Sequence, residues 1–403
     1  RINAFMFILL GLLLPTQLGK HFFLAFSYLL GVRIDYLAPT LYVTDCLVLM
    51  LIVWNYSAVF SLFKSKLTVV LLSISFISIF FATVPWIAFY KFAKIIEVVF
   101  LFFVCKRNRS YFPYLLGGIF VSTGFEFFLS LSQLIQKHAL EGWWYFLGER
   151  PLNLSMPSVA KASFQGTQIL RPYGTFSHPN SMGGFYLFLF FMVLTDGRIR
   201  NRIFKYVFFF LSTILIFISF SKATIGTFIV LYVIYSLKNA KACRICTAAK
   251  LLSLPLAALL FFSWQTDPLS LQKRFELITQ SLIVIQKNAL FGVGLGNYLV
   301  AQSHFPIKYP YFFLQPVHNI FLLIIAEVGL VFAVIFLIIA FRFALKHVRN
   351  PAFLFPVLVL CITGMVDHYW ITLEQNIILL AVFFGFFDYT DRYGAKTKQI
   401  RGN

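Results

Sequence analysis

Long runs of apolar residues recur along almost the whole chain and are separated by short polar segments. A helix that crosses a membrane needs about 20 consecutive, mostly apolar residues. By this measure the sequence predicts an all-α polytopic membrane protein, with a single membrane domain over residues 1–403 and about twelve transmembrane helices. The predicted spans lie near 2–14, 41–61, 67–83, 86–105, 111–135, 180–195, 203–219, 222–237, 249–265, 317–341, 352–366 and 371–388.

The composition supports this prediction. The 403 residues are 60% apolar and 12% charged, whereas a soluble chain averages about 45–50% apolar and about 25% charged residues. A soluble enzyme of ordinary composition and a disordered chain are therefore excluded. The formal net charge of +20 is typical of nucleic-acid binders, but a basic binding patch needs charged surface that this chain lacks, so we expect no nucleic-acid partner.

The basic residues predict the orientation in the membrane. If the N-terminus is cytoplasmic, 21 of the 34 Lys and Arg residues fall in short cytoplasmic segments, as the positive-inside rule requires. The opposite orientation would place all of these residues outside. We therefore expect both termini in the cytoplasm and three long loops on the outer side, at 15–40, 136–178 and 266–316.

Two of the long loops contain informative patterns. The loop 136–178 includes Trp143, Trp144 and Tyr145, aromatic residues that suit a membrane–water interface. The loop 266–316 contains apolar residues at helical spacing, which predict an amphipathic helix on the outer leaflet or on the protein, with packing favoured over substrate contact. These residues are Leu271, Phe275, Ile278, Leu282 and Ile285.

Polar residues gather at three predicted helix starts on the outer side. Arg171 precedes the sixth span, Lys222 opens the eighth and His318 opens the tenth. A helix N-terminus carries a partial positive charge and free N–H groups, so these positions together favour a multiply charged anion such as a diphosphate. The start of the sixth span is predicted at Pro179, with Ser177 or His178 as its cap.

Each of these residues also has a simpler interpretation. Arg171 could extend toward lipid headgroups or pair with Glu149, and Lys222 could keep a tight hairpin soluble. His318 could be a helix cap. The predicted topology supports the functional interpretation, because it places all three residues on the same face of the membrane.

Ionisable residues also fall within the predicted spans. Lys91, Lys94 and Glu97 share one stripe of the fourth span, where each charge costs about 2.5–3.5 kcal/mol unless it faces a cavity or a partner. A Lys94–Glu97 ion pair and a lining of an anion cavity are both open. Glu126 and Glu327 lie within spans too, and Glu327 is a candidate to orient His318 or Lys222.

Two short motifs resemble binding sites but do not predict one. Residues 291–297, FGVGLGN, resemble a nucleotide-binding glycine loop, but no β-α-β unit surrounds them, and a flexible or close-packed turn is favoured. Cys243 and Cys246 form a lone CxxC without a second pair or a flanking histidine, so no zinc site is expected there. Neither a metal-ligand spacing nor a Ser-His-Asp arrangement stands out.

At four motifs the chain resembles the O-antigen ligase and O-antigen polymerase superfamily of bacterial membrane glycosyltransferases. The resemblance covers roughly 165–330, a ligase-like core flanked by the outer loops 136–178 and 266–316. The motifs are Arg171–Gly184 (RPYGTFSHPNSMGG), Ser219–Thr224 (SFSKAT), Gln286–Asn297 (QKNALFGVGLGN) and Pro316–Gly329 (PVHNIFLLIIAEVG).

The resemblance implies a GT-C-like helical fold in the bacterial inner membrane, with an active site on the periplasmic or outer face. Members transfer a glycan from a polyprenyl-diphosphate carrier, such as undecaprenyl diphosphate, to a lipid or glycan acceptor without nucleotide sugar, cofactor or metal. By position, Arg171 and Lys222 would bind the diphosphate and His318 would activate the acceptor hydroxyl. The expected substrate-binding residues are Asn180, Lys91, Lys94, Arg274 and Glu327.

One motif position departs from the family pattern. Ligases commonly have arginine where this chain has Lys222, and lysine keeps the charge but loses the planar, bidentate fork of the guanidinium. We therefore treat the geometry of diphosphate binding and the branch of the superfamily as open questions.

Several functions are compatible with these features. The leading hypothesis is a ligase that inverts the anomeric centre in a single displacement, and a polymerase or a protein-glycosylating relative of the same superfamily is the alternative. A polymerase needs two glycan-lipid sites, and a strongly basic outer loop would indicate the second one. The loop 266–316 is only mildly basic, which favours the ligase. Its basic residues are Lys273, Arg274, Lys287 and Lys308, and its acidic residues are Asp267 and Glu276. A flippase or transporter would use Lys91, Lys94 and Glu97, but no internal repeat is visible.

Overall fold

A computed structural model describes residues 1–156, 159–164, 167–238, 269–306 and 314–401. The predicted ninth span at 249–265, the pair Cys243 and Cys246, and Lys308 lie outside the described residues. The described residues form mostly helices, and their strands form three short antiparallel pairs. The predicted helical class is confirmed at this level.

The described helices and strands are numbered in chain order. The helices are α1 (Ile2–Leu13), α2 (Val43–Trp54), α3 (Tyr56–Val59), α4 (Lys66–Ile77), α5 (Pro85–Arg107), α6 (Phe112–Gln136), α7 (Pro179–Thr195), α8 (Arg202–Ile218), α9 (Lys222–Lys238), α10 (Leu269–Lys287), α11 (Tyr298–Gln302), α12 (Ile320–His347), α13 (Pro351–Gly364), α14 (Tyr369–Thr372) and α15 (Glu374–Arg401). The strands are β1 (Gly19–His21), β2 (Tyr28–Leu29), β3 (Val32–Arg33), β4 (Thr40–Tyr42), β5 (Lys161–Phe164) and β6 (Thr167–Leu170), paired β1 with β4, β2 with β3 and β5 with β6.

The chain divides into two compact units. The first unit consists of Arg1–Ile119, Leu271–Asn350 and Gly364–Asn403. The second unit consists of Phe120–Ser270 and Pro351–Thr363. Each unit is therefore built from segments that are distant in the sequence.

The number of membrane spans differs from the prediction. Two described helices, Arg109–Gln136 and Ile320–His347, are long and apolar enough to cross a membrane, and a third span results if Val43–Trp54 and Tyr56–Leu62, which meet at 85°, count as one. Several other predicted spans coincide with shorter apolar helices. The fourth coincides with α5, which is long enough but contains charged residues in its apolar sequence. The described residues therefore do not confirm twelve spans, because the apolar runs of the sequence continue through breaks in the helices.

Asparagine side chains occupy one such break in the first unit. Asn55 lies between α2 and α3, outside helical geometry, with φ of −111° and ψ of 32°. Its side-chain amide donates to Asn3 at 3.1 Å, and its side-chain oxygen accepts from the amide of Asn108 at 3.1 Å. Three polar side chains thus stabilise the bend with hydrogen bonds, and the surrounding apolar sequence gives no sign of it.

Small residues allow α1 and α6 to pack closely in the first unit. A Cβ atom on Gly11 would collide with the carbonyl oxygen of Leu115, and one on Gly118 would collide with that of Ile8. Glycine at such positions lets two helix backbones approach each other, as is common where helices pack in membranes.

Helix α10 confirms the amphipathic helix predicted in the third long loop, but its buried face only partly coincides with the predicted stripe. Leu271, Phe275 and Leu282 of the predicted stripe are 65%, 63% and 51% exposed. The buried positions are instead Leu277, Gln280, Ser281 and Val284, of which the two apolar residues join a core cluster with residues of α11 and α12. Ile278 and Ile285 of the stripe pack against the same cluster, so the predicted packing is confirmed for part of the stripe only, because apolar periodicity does not distinguish a lipid-facing side from a core-facing side.

The second unit is built around α7. All residues from Pro179 to Val193 are buried, and the ring of Phe191 stacks on that of Phe355 with 5.5 Å between centroids. Before α7, the β5–β6 hairpin anchors the chain, since the backbone N–H of Arg171 donates to the carbonyl oxygen of Ala160 at 3.1 Å.

The predicted interface aromatics lie on a short 3₁₀ helix, Gly142–Leu147. Trp143, Trp144 and Tyr145 are 84%, 37% and 56% exposed. Their exposure agrees with the predicted position at a membrane–water interface, which stays a prediction.

Candidate functional site

Two side chains of α6 fix the loop that precedes α7. Glu126 is buried and accepts hydrogen bonds from the backbone N–H of Thr175, at 3.1 Å, and from the Thr175 hydroxyl. The side-chain oxygen of Gln133 accepts the backbone N–H groups of Tyr173 and Gly174 at 3.0 and 2.9 Å. Gly174 has a positive φ of 57°, and a Cβ atom there would collide with Glu126. The loop is thus held in a conformation that requires glycine.

Arg171 reaches from the start of this loop to two oxygen atoms. Its Nε donates to the carbonyl oxygen of Ser219 at 2.9 Å and its Nη2 to the side-chain oxygen of Asn180 at 2.5 Å. Two predicted site residues, Arg171 and Asn180, are therefore in contact. Glu149, the alternative partner for Arg171, is buried and accepts two backbone N–H groups at 2.8 Å and the amide of Gln133 at 2.8 Å.

The start of α7 follows the sequence prediction. His178 is the N-cap, and its Nδ1 accepts the backbone N–H of Asn180 at 3.1 Å. Pro179 is the first helical residue, where a missing N–H costs nothing. The prediction of Pro179 in the first turn is confirmed, and of the two predicted caps His178 is the correct one.

The turn between α8 and α9 presents Lys222 at a helix start. Phe220 adopts a left-handed backbone with φ of 49°. Ser219 and Ser221 are buried, and the Ser221 hydroxyl accepts from the Thr224 hydroxyl at 2.9 Å. Lys222 is exposed and is the first residue of α9, whose first turn contains no acidic residue. Because a cation at the positive end of a helix is unfavourable, a bound anion would stabilise this arrangement.

Close packing positions this turn against α7. A Cβ atom on Gly183 would approach the hydroxyl oxygen of Ser219 to 2.6 Å. Gly183 belongs to the motif Arg171–Gly184, so its absence of a side chain lets that motif lie directly against the Ser219–Thr224 motif within the second unit.

In the first unit, Asn319 begins α12. Its side-chain oxygen accepts the backbone N–H groups of Phe321 and Leu322 at 2.9 and 3.0 Å. The helix cap is therefore Asn319, and the alternative interpretation of His318 as a capping residue is wrong. His318 precedes the cap, which leaves its ring available for other contacts.

His318 lies in a cluster with Asp367 and His368. Its Nδ1 is 3.4 Å from Oδ1 of Asp367, and its ring centroid is 5.1 Å from that of His368. One side-chain donor atom from each residue lies within 4.8 Å of the other two. Nδ1 of His318 is buried and makes no hydrogen bond within the described part of the chain, while Nε2 lies 3.4 Å from the side-chain oxygen of Gln315.

Hydrogen bonds fix the orientation of His368. Its Nδ1 is 2.8 Å from the hydroxyl of Thr372, which also donates to the His368 carbonyl oxygen at 3.1 Å. Its backbone N–H donates to Oδ1 of Asp367 at 2.8 Å. Burial lowers the pKa of His368 to about 4, although Asp367 opposes this shift, so His368 is neutral near pH 7.

Neighbouring residues fasten this cluster. The side-chain amide of Asn319 donates to the Met365 carbonyl oxygen at 3.0 Å, and Nη1 of Arg274 donates to the Val366 carbonyl oxygen at 3.4 Å. The charge of Arg274 is close enough to His368 to lower its pKa further. The structure thus brings the predicted site residue Arg274 to the segment that contains His368.

Asp367 and His368 were not predicted as site residues. The signal that could have identified them is the topology, because residues 366–371 connect the eleventh and twelfth predicted spans on the same outer side as His318. A charged residue and a histidine in so short an outer connection are candidates for function.

Glu327 has a different role from the predicted one. Its carboxylate accepts the backbone N–H groups of Gly296 and Tyr298. The carboxylate beside His318 is instead that of Asp367. The expectation that Glu327 orients His318 is therefore corrected: Glu327 holds the glycine loop in place.

The glycine loop is a close-packed turn, as predicted. Gly292, Gly294 and Gly296 have positive φ values of 70°, 94° and 71°. The Gly294 N–H donates to the Glu327 carbonyl oxygen at 2.8 Å, beside the break in α12 at Gly329, which has φ of 77° and ψ of 170°. A Cβ atom on Gly296 would approach Cγ of Lys91 to 2.8 Å. The predicted site residue Lys91 therefore packs against this loop.

Lys94 is surrounded by three carboxylates. Its Nζ lies 2.5 Å from Asp45, 3.2 Å from Glu97 and 3.3 Å from Glu374. The predicted Lys94–Glu97 pair is confirmed as part of this larger ion cluster. Because three carboxyl groups surround its ammonium, Lys94 is not available to a substrate anion and is not part of the proposed substrate site.

Comparison with known proteins adds one match. Residues 180–337 match the family model described as O-antigen ligase. The match includes Asn180, the Ser219–Thr224 turn, the glycine loop and His318, and it confirms the resemblance found in the sequence. No curated protein matches the chain.

Proposed function

We propose that this chain, whose residues 180–337 match the O-antigen ligase family model, is a membrane glycosyltransferase of the ligase and polymerase type and, within that type, a ligase. It transfers a glycan from a polyprenyl-diphosphate carrier to an acceptor hydroxyl on a lipid or another surface molecule. The reaction takes place at the outer face of the bacterial cytoplasmic membrane, with both termini in the cytoplasm, and it inverts the anomeric centre.

The observation that supports this function most strongly is the position of His318 beside Asp367, 3.4 Å apart. A carboxylate next to Nδ1 favours the tautomer with the proton on Nδ1, so that Nε2 has a lone pair and acts as the base once the acceptor hydroxyl replaces the Gln315 oxygen beside it. Nε2 accepts the proton of the acceptor hydroxyl while the hydroxyl oxygen attacks the anomeric carbon. The bond from that carbon to the diphosphate oxygen breaks in the same step.

Within the second unit, Arg171 and Lys222 are suited by charge to bind a diphosphate. Arg171 and Lys222 are cations, and Lys222 opens α9, whose N-terminus adds free N–H groups and a partial positive charge. Fixed positive groups lower the barrier when negative charge develops on a leaving group. Asn180 and Ser219 hold the Arg171 guanidinium by hydrogen bonds, so its orientation is set before the substrate arrives.

The test is a transfer assay with purified protein in detergent, a polyprenyl-diphosphate glycan and candidate acceptors. His318→Ala is expected to lower kcat by about 10²- to 10⁴-fold, the contribution of a general base, and Asp367→Asn to lower kcat by a smaller factor. His304 is exposed and makes a matched control, so His304→Ala should transfer like the wild type. Wild-type rates in both His318→Ala and Asp367→Asn would show that this site is not the catalytic one.

The stereochemistry is tested on the same product. Nuclear magnetic resonance of the new glycosidic bond should show the anomeric configuration opposite to that of the donor. Retention, or a covalent glycan on the protein after quenching, would contradict a single displacement.

A polymerase of the same superfamily is the second candidate, because Arg274 of the long outer loop donates to the carbonyl oxygen of Val366, two residues before His368. A polymerase must hold a second glycan lipid, and a basic residue close to the proposed base would suit the acceptor diphosphate. The length of the product separates the two functions: one added glycan indicates a ligase, and a ladder of repeat units indicates a polymerase.

A further inference from the structure

The cluster of His318, Asp367 and His368 has the donor set of a zinc site. Two imidazoles and one carboxylate are ligands that suit Zn²⁺, whereas Mg²⁺ and Ca²⁺ prefer oxygen ligands. Their three donor atoms lie within 4.8 Å of one another. Three protein ligands leave the fourth tetrahedral position open to water.

The measured separation fits tetrahedral zinc. Ligand atoms about 2.1 Å from zinc lie about 3.4 Å apart at a tetrahedral angle, and Nδ1 of His318 lies 3.4 Å from Oδ1 of Asp367. This Nδ1 is buried and makes no hydrogen bond to any residue that the structure describes. A buried ring nitrogen in this state is unusual, and a metal ion would satisfy it.

Supporting contacts hold the His368 ligand. The Thr372 hydroxyl donates to the His368 carbonyl oxygen at 3.1 Å, so its lone pairs can accept the Nδ1–H of His368 at 2.8 Å. This leaves Nε2 of His368 with a lone pair for a metal. Such second contacts to a histidine ligand are typical of metal sites, and the bond from Asn319 to Met365 brings the two chain segments together.

The other acidic cluster of the first unit provides a contrast. Asp45, Glu97 and Glu374 also place three ligand atoms within 4.8 Å of one another. There the ammonium of Lys94 lies among the carboxylates and already neutralises part of their charge. The histidine cluster differs in its donors, since two of its three ligand atoms are imidazole nitrogens, and this donor set points to a metal ion.

We propose that His318, Asp367 and His368 bind one Zn²⁺ ion and that this ion inhibits the transferase. The inhibition rests on the proposed function of His318. Zinc on Nδ1 takes that lone pair, so the single proton of the neutral imidazole stays on Nε2. Nε2 then cannot accept the proton of the acceptor hydroxyl, and transfer stops until the ion leaves.

The binding test uses the full chain in detergent, stripped with EDTA and titrated with zinc sulfate against a fluorescent zinc chelator. All variants carry Cys243→Ser and Cys246→Ser, which removes thiols as competing ligands. We expect one zinc per chain, and His368→Ala and Asp367→Asn should each weaken binding by at least about 100-fold. His304→Ala should bind like the parent.

Two further variants change the surroundings of the zinc ion and leave its three ligands in place. Thr372→Val preserves the shape of the side chain and removes the hydroxyl, so it should weaken zinc binding by about 10- to 100-fold. Arg274→Gln should tighten binding by roughly 3- to 10-fold, because it removes a nearby positive charge. X-ray absorption at the zinc edge should show two imidazole nitrogens. Zinc affinity that none of the four substitutions changes, or absence of zinc binding in the parent, would overturn the proposal.

The inhibition test adds zinc sulfate to the transfer assay. Zinc should stop transfer and EDTA should restore it, and Thr372→Val should shift the inhibiting concentration by the same factor as its zinc affinity. Zinc binding without any transferase activity would refute the proposed function and leave the metal site standing. Transfer that zinc leaves unchanged, despite occupancy of the site, would overturn the inhibition.

Discussion

Two kinds of helix N-terminus occur in this protein, and they differ in the charge they carry. In the first unit, α2 and α15 have Asp45 and Glu374 in their first turns, and both carboxylates also contact Lys94. In the second unit, α9 begins with Lys222 and has no acidic residue in its first turn. Acidic residues stabilise the positive end of a helix, and a cation does not.

We propose that this difference separates a cation with a structural role from one that binds a substrate anion. Lys94 has three carboxylates around it, so its positive charge is neutralised inside the protein. Lys222 is exposed and adds its charge to a positive helix end, so a diphosphate would complete the arrangement. The presence of a basic residue near a helix start is therefore less informative than the charges that accompany it.

The largest effect on stability is expected for Lys94→Met. Removal of the ammonium leaves three carboxyl groups close together without their cation, and breaking a buried pair in this way costs about 3–5 kcal/mol. The free energy of unfolding, measured by denaturant titration in detergent, checks this value. Lys64 is exposed, and Lys64→Met is the control that should change stability little. A Lys94→Met protein as stable as the wild type would mean that the carboxylates do not depend on Lys94.

The second prediction concerns Lys222→Glu, for which activity and stability should move in opposite directions. In the proposed site the Lys222 ammonium donates to the leaving diphosphate, and loss of a hydrogen bond to a charged group costs about 1.5–3 kcal/mol. With the charge also reversed, we expect the transfer rate to fall by about 100-fold. The same change places an acid at the start of α9 and should stabilise the fold by about 0.3–1 kcal/mol.

Kinetic and unfolding measurements on one preparation of Lys222→Glu decide this prediction. Lys222→Arg should keep the activity, since it keeps the charge. If Lys222→Glu lost stability together with activity, Lys222 would have a structural role, as Lys94 has.

Local signals predicted much of the second-unit site. The cap at His178 and the helix starts at Pro179 and Lys222 follow from short-range rules about caps, proline and helix ends. These features depend on residues a few positions apart. The sequence alone therefore contains enough information to place them.

Longer-range features could not be predicted in this way. Asp367 and His368 reach His318 only through the folding of the first unit, and no local pattern connects them. The bend at Asn55 interrupts an apolar run that the sequence predicts as one span. Asparagine side chains from distant segments stabilise this bend. The stripe of α10 divides between packed residues, Ile278 and Ile285, and exposed ones such as Leu271 for a related reason: in a membrane protein, apolar residues face lipid as well as core.

The third prediction tests how the loop near Arg171 is held. Gly174 has a left-handed φ of 57° and no room for a Cβ atom beside Glu126. A left-handed conformation costs a residue with a side chain about 1–2 kcal/mol, so Gly174→Ala should destabilise the protein by about 1–3 kcal/mol and lower transfer. Gly197 has open space around it, and Gly197→Ala is the matched control. Equal effects of the two substitutions would contradict the role of Glu126 in holding this loop.

The smallest effect is expected for Asp45→Asn, and it completes the comparison of the two lysines. Asparagine keeps a side-chain oxygen for the backbone N–H of Tyr42, which now donates to Asp45 at 2.8 Å. Lys94 keeps Glu97 and Glu374 as partners, so the loss should be about 1 kcal/mol or less, within the range of one net hydrogen bond. The ion cluster thus predicts an asymmetry, in which removal of the single cation is costly and removal of one of three anions is not. Comparable losses for Asp45→Asn and Lys94→Met in the same denaturant titration would show instead that Lys94 requires all three carboxylates.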